Sequence, residues 1–290
     1  MNLSRIVPQG LAVALWATTS AMSEPAQPFT QWLDEVRAEA TSLGISHTTL
    51  DAALADVAPI PRILELDRSQ PESRITFANY LQSRTPQERI ERGRRLLEEN
   101  RDLLEEIGAA YGVQPRFIVA LWGMETSYGN FTGGYPVIDA LATLAYDGRR
   151  SQYFRRELMK ALQIVEEGHV TVGNMTGSWA GAMGQSQFMP SSFLHLAVDH
   201  NGDGRRDIWT TRADVFASAA NFLSEAGWNS AITWGREVRV PTDIDPDLAD
   251  LRSGKSLGDW QALGVRRADG KDLPRADLSA SLVLPDGAGG

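Results

Sequence analysis

The sequence predicts a mainly α-helical protein that finishes in a smaller, strand-containing region. Three observations carry this. Apolar residues recur every three or four positions through most of the chain up to about residue 230. Residues that start and stop helices punctuate those stretches. After Trp234 the period changes to two, as in Glu237-Val238-Arg239-Val240, with Pro, Asp and Gly frequent between short apolar runs. A chain of 290 residues has room for about two domains and needs no metal or disulfide staple to fold. Its 42% apolar and 22% charged residues are globular in composition.

The first 23 residues read as a signal peptide. Arg5 supplies a positive start, Leu11 to Ala17 form an apolar run too short to span a membrane, and Ala21-Met22-Ser23 offers a small-x-small site before Glu24. A buried N-terminal helix is the competing reading. Residues 24–75 follow as an N-terminal helical segment. Phe29, Trp32, Leu33, Val36 and Ala40 mark one amphipathic helix closed by Gly44, and Leu50, Leu54 and Val57 mark a second, stopped by Pro59 and Pro61. The core, residues 76–230, contains a helix started by Thr85 as cap and Pro86 in the first turn, with Ile90, Leu97, Leu104 and Ile107 on its buried face. Further helices are expected over about 114–126, 137–146, 151–167, 190–198 and 212–226, the last ended by Gly227. Residues 231–290 form the strand-containing region, with strands expected at 237–240 and 282–284.

Charge and cysteine content exclude several function classes. The chain holds 37 acidic and 28 basic residues, a net charge of −9. That argues against a nucleic-acid partner, whose electrostatic footprint is basic. No cysteine is present, so disulfides, thiolate metal sites, cysteine nucleophiles and a lipid-anchoring thiol are all excluded. With the leader, this predicts a soluble protein exported to a bacterial periplasm without a membrane anchor.

One carboxylate stands out. In the helix Phe117 to Glu125, Phe117 and Leu121 precede Glu125 by eight and four positions and Trp122 by three, which sets Glu125 on an apolar stripe. A carboxyl group that loses hydration there holds its proton to higher pH, as a general acid must. A solvent-facing glutamate at a helix end is the competing reading. A second constellation, Gly177 to Ser192, holds three glycines in eight residues and then Gln185, Ser186 and Gln187 before Pro190 opens a helix. Close backbone approach with neutral hydrogen-bonding side chains suits sugar hydroxyl and acetamido groups better than phosphate. A tight helix–helix connection would explain it equally well.

A third pattern, Asp199-His200-Asn201-Gly202-Asp203-Gly204-Arg205-Arg206-Asp207, fits an EF-hand-like calcium loop. Asp199, Asn201 and Asp203 stand at loop positions 1, 3 and 5, Gly204 turns the chain at 6, Arg205 offers its carbonyl at 7 and Asp207 stands at 9. Position 12 is Thr210 where a glutamate is usual, and a plain turn is the alternative.

Trp122 to Gly129, Asp139 to Leu144, Gly181 to Ser192 and Asp199 to Gly204 together resemble the lytic murein transglycosylases of the membrane-bound lytic transglycosylase B type, glycoside hydrolase family 103. The resemblance covers roughly residues 28–290. It implies a lysozyme-like helical catalytic domain acting on peptidoglycan glycan strands. Such enzymes cleave the β-1,4 bond between N-acetylmuramic acid and N-acetylglucosamine and close a 1,6-anhydro ring on the muramic acid. By this resemblance Glu125 is the single catalytic acid and base, and Ser178, Gln187, Tyr80 and Tyr153 match substrate-contacting positions. It also supplies Asp214, from the following helix, as a further ligand to a structural calcium ion. Asp139 and Asp147 are the nearest candidates for a second carboxylate, and Asp139 reads as a helix-start residue. Arg149, Arg150, Arg155 and Arg156 are expected on the groove side near Tyr153. Other cell-wall enzymes are possible partners. In the family more sequence usually follows the point where this chain stops, so a shortened C-terminal region is expected. A muramidase cutting the same bond and a non-catalytic peptidoglycan-binding protein remain the alternatives.

Overall fold

The computed structural model describes residues 27–69 and 75–287. The expected leader, residues 1–23, lies outside them. Twelve helices and six two-residue strands are found among the described residues. The first four helices are α1 (Phe29–Ser42), α2 (His47–Leu54), α3 (Pro61–Arg68) and α4 (Phe77–Arg84). They lead to α5 (Gln87–Glu99), α6 (Arg101–Tyr111) and α7 (Pro115–Thr126). Strand β1 (Tyr135–Pro136) precedes α8 (Val137–Tyr146) and α9 (Ser151–Glu166). It pairs antiparallel with β2 (Thr176–Gly177), ahead of α10 (Pro190–Leu196) and α11 (Arg212–Glu225). In the last region β3 (Val238–Arg239) pairs with β5 (Arg266–Arg267), and β4 (Lys255–Ser256) pairs with β6 (Ser279–Ala280), with α12 (Leu257–Ala262) between.

Three apolar clusters hold these elements. The largest joins Trp32, Val36, Leu50, Leu54 and Ile63 from the N-terminal segment to α8, α9 and α10. The 24–75 segment is thus packed into the same core as residues 137–208. A second cluster joins α5, α6 and α7 to Val215, Phe216 and Ala220 of α11. A third, around Trp260, Val265, Leu273 and Leu282, belongs to residues 231–290 alone. The first two clusters meet where β2 and the turn after it run between α7 and α8. The backbone is crowded at that junction. A Cβ at Gly133 would strike the Gly177 carbonyl, and one at Gly177 would strike the Ala182 carbonyl and Val137.

Several expectations about single elements change. Pro61 does not stop a helix; it opens α3 as its first residue, where a missing N–H costs nothing. Thr85 closes α4, its Oγ1 donating to the Leu81 carbonyl, and Pro86 holds the N-cap position of α5. The single long helix expected after it breaks at Asn100, which both ends α5 and begins α6. Ile90 is exposed; Leu96, six residues on, fills the core position in α5. In the C-terminal region the strand expected at 282–284 lies slightly earlier, in β6, and Leu282 instead fills the small core.

Three arginines of the basic cluster near Tyr153 are paired within the fold. Asp67, only 2% exposed, accepts from Arg149 at 2.8 Å and Arg150 at 2.5 Å. Burial alone would raise its carboxyl; the bonds from the two guanidinium groups outweigh that and hold it below the usual range. Arg155 donates to Glu39 at 2.5 Å and lies over Trp32. These three arginines therefore clasp α3 and α1 to α9 and are spent on the fold.

The crowding at Gly177 gives a direct test. Gly177→Ala should destabilise the protein by about 3 kcal/mol, because a backbone carbonyl cannot yield to the new methyl group. In a thermal melt that corresponds to a Tm lower by at least about 6 °C. An unchanged Tm would show that the junction is looser than described.

Candidate active site

Glu125 occupies the last turn of α7. Ile118, Val119, Trp122 and Thr126 form the buried face of the helix, whereas Phe117 and Leu121 are half-buried and Glu125 itself is exposed. The expected apolar stripe therefore runs one position to the side, and Glu125 stands at its margin. It is open on one side and crowded on the other. That partial loss of water raises its carboxyl above the ordinary range. No hydrogen-bond or ion-pair partner of Glu125 is found among the described residues.

The chain leaves α7 through a left-handed turn. Ser127, Tyr128 and Gly129 have φ of 51°, 62° and 78°, conformations that L-residues other than glycine adopt at a cost of about 1 kcal/mol each or more. Tyr128 is pinned by its hydroxyl, which donates to the Arg89 carbonyl at 2.8 Å, and by Trp122 packed edge-on at 5.5 Å. At Gly129 a Cβ would collide with the Gln185 side chain.

The glycine-bearing turn between β2 and α10 supplies neutral polar groups. Ser178 Oγ accepts from the backbone N–H groups of Ala180 at 3.3 Å and Ala182 at 3.0 Å. With both lone pairs engaged, its hydroxyl proton remains to donate. Gln187 is the converse. Its Nε2 donates to the Thr132 and Gly184 carbonyls at 3.0 and 2.9 Å, leaving Oε1 to accept, and its backbone φ is +48°. Strain of this kind clusters at functional sites.

The two tyrosines are presented outward. Tyr80, 41% exposed, lies on α4, a helix with no buried residue, with the Arg84 guanidinium 5.5 Å above its ring. Tyr153, 39% exposed, begins α9 and packs edge-on to Phe154 at 5.1 Å. Unlike Glu125, both second-carboxylate candidates are bonded. Asp139, in the first turn of α8, accepts from its own and the Ala58 backbone N–H groups, and Asp147 pairs with Arg68 at 2.8 Å.

Between α10 and α11 the acidic loop folds on itself. Asp199 accepts from the N–H groups of Gly202, Asp203 and Gly204 at 2.8–3.1 Å. Asn201 Oδ1 accepts from the Asp203 N–H at 3.1 Å, and Asp203 from the Arg205 N–H at 2.9 Å. Asp214 is fully buried and ties the loop's two ends, accepting from His200 N–H at 2.9 Å and Asp207 N–H at 2.8 Å. Burial raises its carboxyl despite those bonds. Asp207 turns elsewhere. Its oxygens accept from the Trp209 and Thr210 N–H groups, both at 2.9 Å, and from the Thr210 and Thr211 hydroxyls. All four of its lone-pair sites are thereby filled. The loop is an oxygen-only donor set, the kind that suits a hard cation such as calcium. No group of three or more His, Cys, Asp or Glu side chains is gathered for a metal among the described residues, so amide and carbonyl oxygens would complete any such site.

Comparison with known proteins settles the relationship. The family model described as "Transglycosylase SLT domain" matches residues 28–290. The chain belongs to this family. It is 41% identical over 128 residues to the membrane-bound lytic murein transglycosylase B of Escherichia coli K12, a stretch covering 44% of this chain and 35% of that protein. The matched stretch thus spans about a third of that relative. Among solved structures, SltB3 of Pseudomonas aeruginosa in complex with NAG-anhNAM-pentapeptide is 44% identical, with TM-score 0.85 over 89% of this chain and 70% of that one. The Escherichia coli lytic transglycosylase Slt35 in complex with calcium is 27% identical, with TM-score 0.75 over 94% and 86% of the two chains. The mainly helical fold expected from the sequence is the fold of these enzymes. No described helix is long and apolar enough to cross a membrane.

Gln185 is the residue whose role sequence reading missed. It stood inside the quoted motif with no task assigned, and its partners Trp122 and Trp209 lie far from it along the chain. A polar residue amid glycines and apolar neighbours was the available signal.

The partnerless state of Glu125 fixes the sign of a pH effect. Its folded carboxyl holds a proton more strongly than the unfolded one, so its contribution to stability is present at low pH and lost as pH rises through the raised value. Glu125→Gln should therefore melt no lower than the parent at neutral pH. Melting curves across the acid range should converge as pH falls.

Proposed function

We propose that the chain is a peptidoglycan lytic transglycosylase and that Glu125 carries the reaction. The supporting observation is a lone, partly desolvated carboxylate at the end of α7, beside a turn that offers neutral hydrogen bonds. In its protonated form Glu125 gives its proton to the glycosidic oxygen as the C1–O4 bond breaks. Now ionised, it takes the proton from the muramic acid O6 as O6 bonds to C1, which closes the 1,6-anhydro ring and returns Glu125 to its starting state. Water is not consumed, and no second carboxylate is needed as in a conventional glycosidase. The commitments of Asp139 and Asp147 agree with that economy.

Ser178, with only its proton left to offer, donates to a carbonyl acceptor such as the N-acetyl group. Gln187 Oε1 accepts from a sugar hydroxyl or amide. Tyr80 and Tyr153 offer flat apolar faces to pyranose rings. SltB3 was crystallised with a disaccharide pentapeptide, and the same class of ligand, a glycan strand bearing peptide, is proposed here. Cleavage of this polymer and the expected leader support a periplasmic location, where other cell-wall enzymes are candidate partners.

Calcium is proposed as a structural ligand of the acidic loop, held by Asp199, Asn201, Asp203 and the Arg205 carbonyl, with Asp214 closing the site. Asp207, although it stands at loop position 9, serves the turn at Thr210 and Thr211 instead. The ion would neutralise the loop's acidic groups and order it; Glu125 does its chemistry without it.

Two measurements test these assignments. Digestion of purified sacculi followed by mass spectrometry should give 1,6-anhydromuramyl ends, and Glu125→Gln should lower the rate at least about a hundredfold, as loss of a general acid does. Reducing ends in their place would make the enzyme a muramidase, and undiminished lysis by the variant would remove Glu125 from the mechanism. Calcium at about 100 times its Kd should stabilise the protein by roughly 2.7 kcal/mol. Asp199→Ala should abolish the increase in Tm, and a melt indifferent to both calcium and chelator would refute the site.

A further inference from the structure

Glu125 has no bonded partner, so its aim must come from the backbone that carries it. That backbone is the last turn of α7, followed at once by left-handed Ser127 and Tyr128. Strained residues keep their conformation only when the surroundings over-determine it. Gln185 is placed to do this. Its Oε1 accepts from Trp122 Nε1–H at 2.8 Å, and its backbone carbonyl accepts from Thr126 Oγ1 at 3.1 Å. Thr126 Oγ1 in turn accepts from the Gly129 N–H at 3.0 Å, closing the left-handed turn. Trp122 and Thr126, three residues before Glu125 and one after it, are 3% and 1% exposed.

The other side of Gln185 grips the exit of the acidic loop. Its backbone N–H donates to the Ile208 carbonyl at 2.8 Å, and its Nε2 donates to the Trp209 carbonyl at 2.7 Å. Trp209 N–H donates to Asp207, whose own N–H donates to Asp214. Among the described residues, Gln185 is the side chain through which the end of α7, the glycine-bearing turn and the exit of the acidic loop are bonded together. Its side-chain bonds and the Thr126 bond are all part-buried, where an unmade partner is costly.

We propose that Gln185 is a positioning residue: it fixes the orientation of Glu125 by bonding the last turn of α7 to the segment that leaves the acidic loop. This rests on Glu125 being the catalytic acid. Gln185 does not touch the substrate. Its effect falls on the step in which Glu125 moves protons and leaves substrate binding largely alone.

The test uses Gln185→Met, which keeps length and loses both side-chain bonds, Trp122→Phe, which removes the indole donor and trims the buried ring, and the double variant. Each is assayed on solubilised glycan strands well below its own Tm. Each single variant should lower kcat about tenfold with KM changed less than about twofold. The double variant should fall about tenfold and not a hundredfold, since both changes remove one shared bond. Amide hydrogen exchange read by NMR gives an arm independent of activity: exchange at Ser127 and Gly129 should quicken about tenfold in Gln185→Met. Parental kcat in folded Gln185→Met, strictly multiplicative losses in the double variant, or unchanged exchange at both amides would each overturn the proposal. If the parent makes no anhydro ends, the catalytic reading alone fails, and the exchange arm still decides whether Gln185 holds the turn. Should Gln185→Met not fold, Trp122→Phe carries both arms.

Discussion

The crowded junction between β2 and the turn that follows it is the constraint on which the rest of the structure depends. Two apolar clusters, one built on α8 and α9 and the other on α7 and α11, come together there. They can do so only because the chain presents glycine where carbonyls approach, at Gly133 and Gly177. The close approach leaves no room for an apolar filling, so the contact is made by hydrogen bonds. Gln185 bonds across to Trp122 and Trp209, Gln187 reaches back to the Thr132 carbonyl, and Ser178 braces the turn itself. Position and chemistry thus share one stretch of chain. Of these three residues, Ser178 and Gln187 are the ones proposed to meet the sugar, and Gln185 holds the framework.

Much of the fold was legible in the sequence because helical periodicity is local. The range expected for α8 matches the observed one, and those for α7, α9 and α11 differ by one residue, which is within the usual play at helix ends. Errors arose where one residue can serve two ends. Pro61 follows one helix and opens the next, and Thr85 could cap either α4 or α5. The break at Asn100 was hidden because the apolar period carries across it. The C-terminal strands are two residues long, too short for alternation to locate.

The site was legible to a different degree. Glu125 and the glycine-bearing turn could be singled out from residue types alone, since a carboxylate near an apolar stripe and a cluster of glycines are both costly unless used. What pairs with what was not legible. Asp67, near the end of α3, pairs with Arg149 and Arg150, a link that their sequence adjacency to Tyr153 does not reveal. Asp207 keeps loop register and yet gives its oxygens to two threonines. Gln185 acquires its meaning only from Trp122 and Trp209, which the fold brings to it. Such assignments depend on long-range geometry that spacing does not encode.

The isolation of Glu125 has a kinetic consequence. A group that must release a proton and recover one within a single turnover works best when its charged and neutral forms lie close in energy. A neighbouring cation would trap it as carboxylate, and a neighbouring anion would trap it as acid. With neither bonded to it among the described residues, Glu125 is held in neither form, and as the proposed acid and base it can release a proton and recover one within one turnover.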